Sequence, residues 1–592
     1  MISQAVAMQV RRASERARDA WRRWAAPALR QPRALPLAAL LAGFLLFSAL
    51  GLRLTARVSL TGDEPWYAAQ AYALWHYHTP ALFTPRVPRA VYEPLLRGTR
   101  DDHTRDYLGN GERVLVNLPG YAAVIAPFFA LGGRKLVVLL QALAAAGTGA
   151  LLVGEAWCAF RSRAVAAFAW AAYALLLPVQ VYVGQLFPST LAACALFGGF
   201  LLARRIAAAE RGRALPLAVA LGALAALLPW LHSKYILPAL ALAALGMLAA
   251  RPRWPARTPA DRRALGALAT IGGLLLLSLA LIALYSHRYF GTWTPPNARA
   301  QPDLAHPHPG AVITLFGDML FGQQSGLLPW APVDALVVVG LVLLVRQRPR
   351  VGWPVLALLA ALAAAFLPAA VTPVFQGKAL PGRFTLEWAP FLALGVAAVF
   401  AWAWRGVRQG GAWARRAAAL GAVALLLTSA WFAWVGQRDP ALLYPGPSGN
   451  RLAAEYPHAL PLWWFHAFPS LPAQWVARGR VAFGAPRHVP GGAWQARTRP
   501  LLAPPGRYRA TFRLACAGGA ATAAIVRVGV TAPRPGASSA IEAAARVACG
   551  GAGSSQSATL TFASDGYHSL AFTLAWPEAA LLRTPLVTYE PG

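Results

Sequence analysis

The stretch SLTGDEPWYAAQAYALW, residues 59–75, places two carboxylates, Asp63 and Glu64, just after an apolar run at 35–52. Runs of about 17–25 apolar residues can cross a bilayer as helices. In a chain with a formal net charge of +33, acids at the point where it leaves a membrane call for a reason. Pro65 suits a first helical turn, and an acid ahead of it can cap the helix and complement its dipole. On that reading Trp66, Tyr67, Tyr72, Trp75 and Tyr77 are headgroup anchors. A carboxylate at the mouth of a helical bundle can also act as a general base, taking a proton from an acceptor hydroxyl as its oxygen attacks an electrophilic carbon. Such a reaction needs a cationic site for the leaving group.

The rest of the chain supports the membrane setting. Of its 592 residues 57% are hydrophobic and only 13% charged, and the mean hydropathy is +0.45. Soluble domains do not have this composition. The basic residues, nearly all Arg, sit in short clusters between apolar runs, which argues against nucleic acid as the partner and follows the positive-inside pattern. Eleven runs read as spans, near 35–52, 136–160, 164–183, 188–203, 214–231, 235–250, 264–285, 328–345, 352–371, 384–404 and 417–436. With residues 1–34 as a basic cytoplasmic segment, every compact Arg cluster falls inside. Counting 114–133 as a further span would invert this, so VLVNLPGYAAVIAPFFALGG is expected to be buried, re-entrant or interfacial, broken at Pro119-Gly120 and Pro127. The large outer loops are then 53–135 and 286–327.

This topology makes the three lysines informative. Lys135 closes the first outer loop, Lys234 lies in the outer turn LLPWLHSKY, and Lys378 lies in FQGKALPGRF, followed by Arg383. With His232 they form a set of cations at outer helix ends, suited to a lipid phosphate presented from the outer leaflet. Each alone could equally anchor a helix end. A second acidic cluster, RDDHTRDYLGNGE at 100–112, offers Asp101, Asp102, His103 and Asp106 for sugar, acceptor or cation, or forms a solvated loop.

Residues 437–499 read as an aromatic, proline-rich connector at the membrane surface. From 500 to 592 short alternating segments such as GRYRATFRLACA and SATLTFAS, separated by Gly/Pro/Ser-rich turns, predict an outer β-sandwich. Cys158 and Cys194 fall in apolar runs as packing residues, whereas Cys516 and Cys549 could pair only in an oxidising compartment. No Cys/His cluster has metal-ligand spacing.

Seven pieces in order across residues 35–404 resemble the type C (GT-C) glycosyltransferase superfold, which includes protein O-mannosyltransferases and bacterial lipid A aminoarabinose transferases. They are GDEPWYAAQAYAL (62–74), LPGYAAVIAPFFALGG (118–133), GQLFPSTLAA (184–193), LPWLHSKY (228–235), YFGTWTPPNA (289–298), GQQSGLLPWAPV (322–333) and PGRFTLEWAPFLAL (381–394). The resemblance implies a polyprenyl-phosphate-linked sugar as donor and an envelope glycan, lipid or protein as acceptor. It also implies inversion at the anomeric carbon and transfer outside a bacterial cytoplasmic membrane. It makes Asp63 the base, with Glu64 in support or binding the acceptor, and gives Lys234, Lys378, Arg383 and His232 to the donor phosphate. It requires no cofactor and leaves a divalent metal open. The chain departs from the pattern at Asn117-Leu118, where a His is expected, and at TPVFQGKAL, where a Trp/Gly-rich run is expected. By the same analogy the β-domain orients the acceptor, or else it caps the outer face.

Two other classes fit some of these features. A transporter or flippase of a lipid-linked sugar would also need many spans and outer cations. It would usually show matched halves and mid-span ionisable groups; the sequence shows no such symmetry, and its candidate residues lie at helix ends. A non-enzymatic envelope scaffold would need the β-domain and not Asp63.

Overall fold

A computed structural model describes most of residues 34–440 and the strands between 445 and 591. Residues 1–33, 61, 85–86, 97–103, 209–213, 251–257, 297–315, 318, 322–325, 368–381, 384, 410–412 and the links between C-terminal strands lie outside the description. The chain divides into a helical unit (1–300, 327–368 and 380–441) and a second unit (301–326, 369–379 and 442–592).

The helical unit is a multi-pass membrane bundle. Among the described residues eight helices are long and apolar enough to span, or nine if one bent pair counts as a span. The first is α1, Ala34–Arg57, followed by the shorter α2, Glu64–Tyr77, and by α3, Gly120–Phe160. The bent pair is α4, Arg163–Ala174, and α5, Leu177–Val183, at 58°. Pro178 in the first turn of α5 and the extended backbone of Leu176 account for this break. Next come α6, Ser189–Ala208, α7, Ala214–Leu231, α8, Ile236–Ala250, and α9, Pro259–Phe290, which is capped by the Thr258 hydroxyl and ends at Gly291. The bundle closes with α10, Val337–Gln347, α11, Pro349–Ala364, α12, Ala389–Arg408, and α13, Trp413–Arg438.

Two of the eleven expected spans, 328–345 and 352–371, fall short of this measure among the described residues. The run at 328–345 opens as a 3-10 turn, Pro332–Leu336, leaving α10 only 11 residues. α11 has 16 residues, about 24 Å at 1.5 Å per residue. Both fall short of the roughly 20 residues a bilayer requires.

Packing sorts centre from rim. In the span containing α12, 94% of the apolar window is buried, against 17% for α1. Leu37, Leu41 and Leu45 on α1 and Leu276, Leu277 and Leu281 on α9 are exposed, as lipid-facing residues are. Small residues set the closest crossings. A Cβ added to Gly340 on α10 would lie 2.1 Å from the Gly395 carbonyl oxygen on α12.

Polar contacts sort the two ends. The Arg57 guanidinium donates to the Arg438 carbonyl at 2.8 Å, joining the C-termini of α1 and α13. At other helix ends Arg405 bonds to Gln347. Arg348 there faces Arg405 and Arg161; burial, then these like charges, lower its pKa. Arg161, Arg348 and Arg405, from three of the predicted inner clusters, thus share one end of the bundle.

The segment 114–133 behaves as a short helix ahead of a span, but its break is not at a proline. Pro127 lies inside α3, and the helix is interrupted at Gly132 and Gly133. Gly133 has φ 58° and ψ −152°, a conformation open essentially to glycine. A proline removes one hydrogen bond, whereas this pair redirects the chain.

In the second unit the segment expected to be a connector contributes strands. β1, Gly479–Ala482, β2, Arg487–Val489, and β3, Ala493–Arg497, precede β4, Gly506–Cys516, β5, Ala523–Val530, β6, Ile541–Ala548, β7, Ser555–Ser564, β8, Leu570–Pro577, and β9, Leu582–Pro591. They form a five-stranded sheet, β6-β5-β8-β3-β2, and a four-stranded sheet, β7-β4-β9-β1, with all pairs antiparallel. Buried Phe512 of one sheet meets buried Phe572 of the other edge-on at 5.4 Å. Cys549 lies outside the described residues.

Because the Gly340 contact is with backbone, Gly340→Val is expected to destabilise the bundle by roughly 1–3 kcal/mol. A lowered thermal midpoint in detergent checks this, with Gly421→Val, which has open space around it, as the control.

Candidate active site

Of the acids and cations singled out in the sequence, Asp63, Glu64, Lys234, His232 and Arg383 converge at one end of the bundle. Asp63 Oδ2 accepts from Arg383 Nη2 at 2.6 Å, although the two are 320 residues apart. Asp63 does not cap α2 with its side chain. Only its carbonyl serves the helix, accepting from the amides of Trp66 and Tyr67. The capping explanation of GDEP thus covers the backbone and not the carboxylate.

Glu64 has a different environment. Its carboxylate is fully buried, accepting from Arg134 Nη2 at 3.3 Å and from the Leu186 amide at 2.8 Å. Arg134 stands just past the Gly132-Gly133 kink and also donates to the carbonyls of Val58 and Gly184. These bonds tie α1, α2, α3 and the α5–α6 turn together. The side chains of Asp63 and Arg383 keep 21% and 26% of their exposure, against none for Glu64, so of the acidic pair only Asp63 can meet an incoming molecule.

Lys234 follows a short turn between α7 and α8 and pairs with Glu387 Oε1 at 2.8 Å. The Tyr235 hydroxyl also bonds to Glu387 and lies 3.4 Å from the Ser189 hydroxyl. The Lys234 ammonium stands 4.9 Å from the Tyr235 ring centre and 5.4 Å from that of Phe366, distances at which aromatic faces attract a cation.

His232 was expected as a cation. Burial, then the Lys234 ammonium, push its pKa down from 6.5 to about 3, with Asp63 opposing and Arg383 reinforcing. Its Nδ1 accepts from the Lys234 amide at 3.2 Å, so the neutral ring carries its proton on Nε2. It is a neutral hydrogen-bond donor, and this corrects the expectation of charge.

Arg383 lies over the Phe187 ring at 4.6 Å. Burial alone would lower its pKa; Asp63, Tyr182 and Tyr67 overcome this and raise it, so the guanidinium is firmly charged. The Tyr67 phenol is held protonated by burial, then by Asp63. Gly382 has φ +71° and packs so closely that an added Cβ would lie 2.3 Å from Pro178, which fixes the turn carrying Arg383.

The remaining residues separate. Asp106 is exposed and clamps its own loop, accepting from the amides of Leu108, Gly109, Asn110 and Gly111 at 2.7–3.3 Å. The Gly111 bond, the largest cause, and the others hold its pKa low; its carboxylate clamps this loop. Asp101, Asp102, His103 and Lys378 lie outside the described residues. Lys135 is exposed. Among the described residues no group of three or more His, Cys, Asp or Glu could hold a metal. Glu387 and Arg134 were not picked from the sequence, although an acid inside an apolar run is a signal in its own right.

No protein-family model and no curated protein matches the sequence. Among solved structures the chain is similar to ArnT from Cupriavidus metallidurans bound to undecaprenyl phosphate (16% identity, TM-score 0.41, covering 74% of this chain and 77% of that one). It is similar to the apo state of the same protein (17%, TM-score 0.37, 75% and 78%). It is also similar to the arabinosyltransferase EmbB from Mycobacterium smegmatis (11%, TM-score 0.36), with 95% of this chain matching 64% of that one.

Two outcomes follow from the pairs. Glu387→Ala strands the Lys234 charge and is expected to cost about 3–5 kcal/mol of stability, whereas Glu387→Leu with Lys234→Met recovers most of it in thermal unfolding. For His232, the unfolded chain binds a proton between pH 6.5 and about 3 that the folded chain refuses, so stability falls as pH drops through that window. His232→Gln is expected to flatten the fall, read as the wild-type-minus-variant difference in midpoint.

Proposed function

We propose that the chain is a membrane glycosyltransferase that moves a sugar from a polyprenyl phosphate to an envelope acceptor on the outer face of a bacterial cytoplasmic membrane. The observation that carries the reading is the meeting of a reachable carboxylate, Asp63, with Arg383 at 2.6 Å, in a cluster that also holds Lys234 and His232. The order of the seven sequence pieces supports it independently.

The roles follow from charge. The donor is a phosphodiester with one negative charge. As the bond from the anomeric carbon to the phosphate oxygen breaks, the leaving polyprenyl phosphate gains a second. Groups that bind this added charge stabilise the transition state more than the ground state. Arg383 and Lys234 supply the cations and the Nε2–H of His232 supplies a neutral donor; Lys378, just before Arg383 in the chain, is assigned to the same phosphate. The acceptor hydroxyl attacks the anomeric carbon from the opposite side, with inversion, and gives its proton to Asp63. Glu64, locked by Arg134, holds the helix end that carries Asp63.

The pairs also give an order of events. In the structure Asp63 occupies Arg383. A lipid phosphate that takes Arg383 would release Asp63 toward the acceptor, so the base is freed from its ion pair only when donor is bound.

Sugar transfer from a panel of radiolabelled polyprenyl-phosphate sugars into cell-envelope extract tests the reading. Asp63→Asn is expected to lower kcat by about 10²–10⁴-fold while donor binding persists. Equal transfer by wild type and variant would remove Asp63 as base. Tight donor binding by wild type with no transfer would favour a flippase.

A further inference from the structure

A groove of about 410 Å³ runs between the outer parts of α1, α5 and α13. Leu46, Leu50 and Trp434 supply apolar wall, and Arg53 and Arg438 also line it. The volume lies within the roughly 300–1,000 Å³ typical of small-ligand sites.

Three observations give the groove a ligand. First, Gln437 lines it with only 3% of its surface exposed, and neither its amide nitrogen nor its amide oxygen has a hydrogen-bond partner. A buried amide in that state is costly, and a polar ligand would satisfy it. Second, the lining residues carry two arginines and no acid, so the complement is an anion. Third, Leu46 and Leu50 are half-buried and Trp434 is exposed, on two helices long and apolar enough to span, so the groove opens to the bilayer and the occupant comes from it.

The helix α5 separates this groove from the catalytic cluster. Pro178 packs under Gly382, and Tyr182 acts electrostatically on Arg383. Gln180, lying between them in sequence and about 200° from each around a helix, lines the groove and bonds to the Ala174 carbonyl across the α4–α5 break at 3.1 Å. The two faces of one short helix therefore serve two different sites.

We propose that this groove is a binding site for an anionic phospholipid of the outer leaflet, distinct from the donor site. An acyl chain lies along Leu46 and Leu50, the phosphate meets Arg53 and Arg438, and a headgroup or ester oxygen satisfies Gln437. The indole of Trp434, with the Arg438 guanidinium 5.5 Å from its ring centre, marks the headgroup level.

Native mass spectrometry of the full-length protein, titrated with phosphatidylglycerol or phosphatidylcholine, tests the site. Wild type is expected to retain one phosphatidylglycerol in preference to phosphatidylcholine. The double variant Arg53→Gln/Arg438→Gln should lose that preference roughly tenfold or more. Arg262→Gln/Arg263→Gln, which removes the same charge elsewhere, should keep it. Gln437→Leu, which keeps both arginines, should weaken retention of both lipids. Equal retention of the two lipids by wild type, or an unchanged preference in the Arg53/Arg438 variant, would overturn the proposal. So would displacement of phosphatidylglycerol from the groove by undecaprenyl phosphate at equal concentration, since that would make the occupant a polyprenyl lipid.

Discussion

An apolar bundle can hold ionised side chains at its end only if each finds a partner, because leaving one half of a buried pair is strongly unfavourable. Here that constraint organises one whole end of the bundle. Asp63 takes Arg383, Glu64 takes Arg134, and Glu387 takes Lys234. Each pair joins segments distant in sequence, so the same contacts that neutralise charge also fix which helix ends are neighbours. The pairs differ in what they leave accessible. Glu64 and Glu387 are sealed, whereas Asp63 and Arg383 retain contact with the exterior.

Local backbone devices position the partners. The glycine pair at 132–133 turns Arg134 back toward Glu64. The break at Pro178 tilts α5 so that it lies beneath Gly382. The short turn after α7 allows Lys234 and Tyr235 to address the same carboxylate. The span containing α12 is the most buried of the candidate spans described, and Arg383 and Glu387 lie at its start.

Much of this was legible in the sequence, for identifiable reasons. Arg clusters between apolar runs gave the alternation of loops, and the Arg57–Arg438 and Arg348–Arg405 neighbourhoods place ends together as that alternation requires. Lys234 stood out because lysine is nearly absent, and Asp63 because acids are scarce where it lies. Glu387 was hidden because its neighbours are apolar and its partner is 153 residues away in sequence by their numbering. The split between Asp63 and Glu64 was hidden too, since adjacent residues on a helix point in different directions and only packing shows which is sealed. Strands of three to five residues at 479–497 carry too little alternation to separate them from an aromatic linker.

The central claim is that Asp63 and an incoming lipid phosphate compete for Arg383. Undecaprenyl phosphate affinity in a double-mutant cycle tests it most directly. The account predicts tighter binding in Asp63→Asn, weaker binding in Arg383→Gln, and no further effect of Asp63→Asn once Arg383 is gone. Unchanged or weakened binding in Asp63→Asn with Arg383 intact would contradict it.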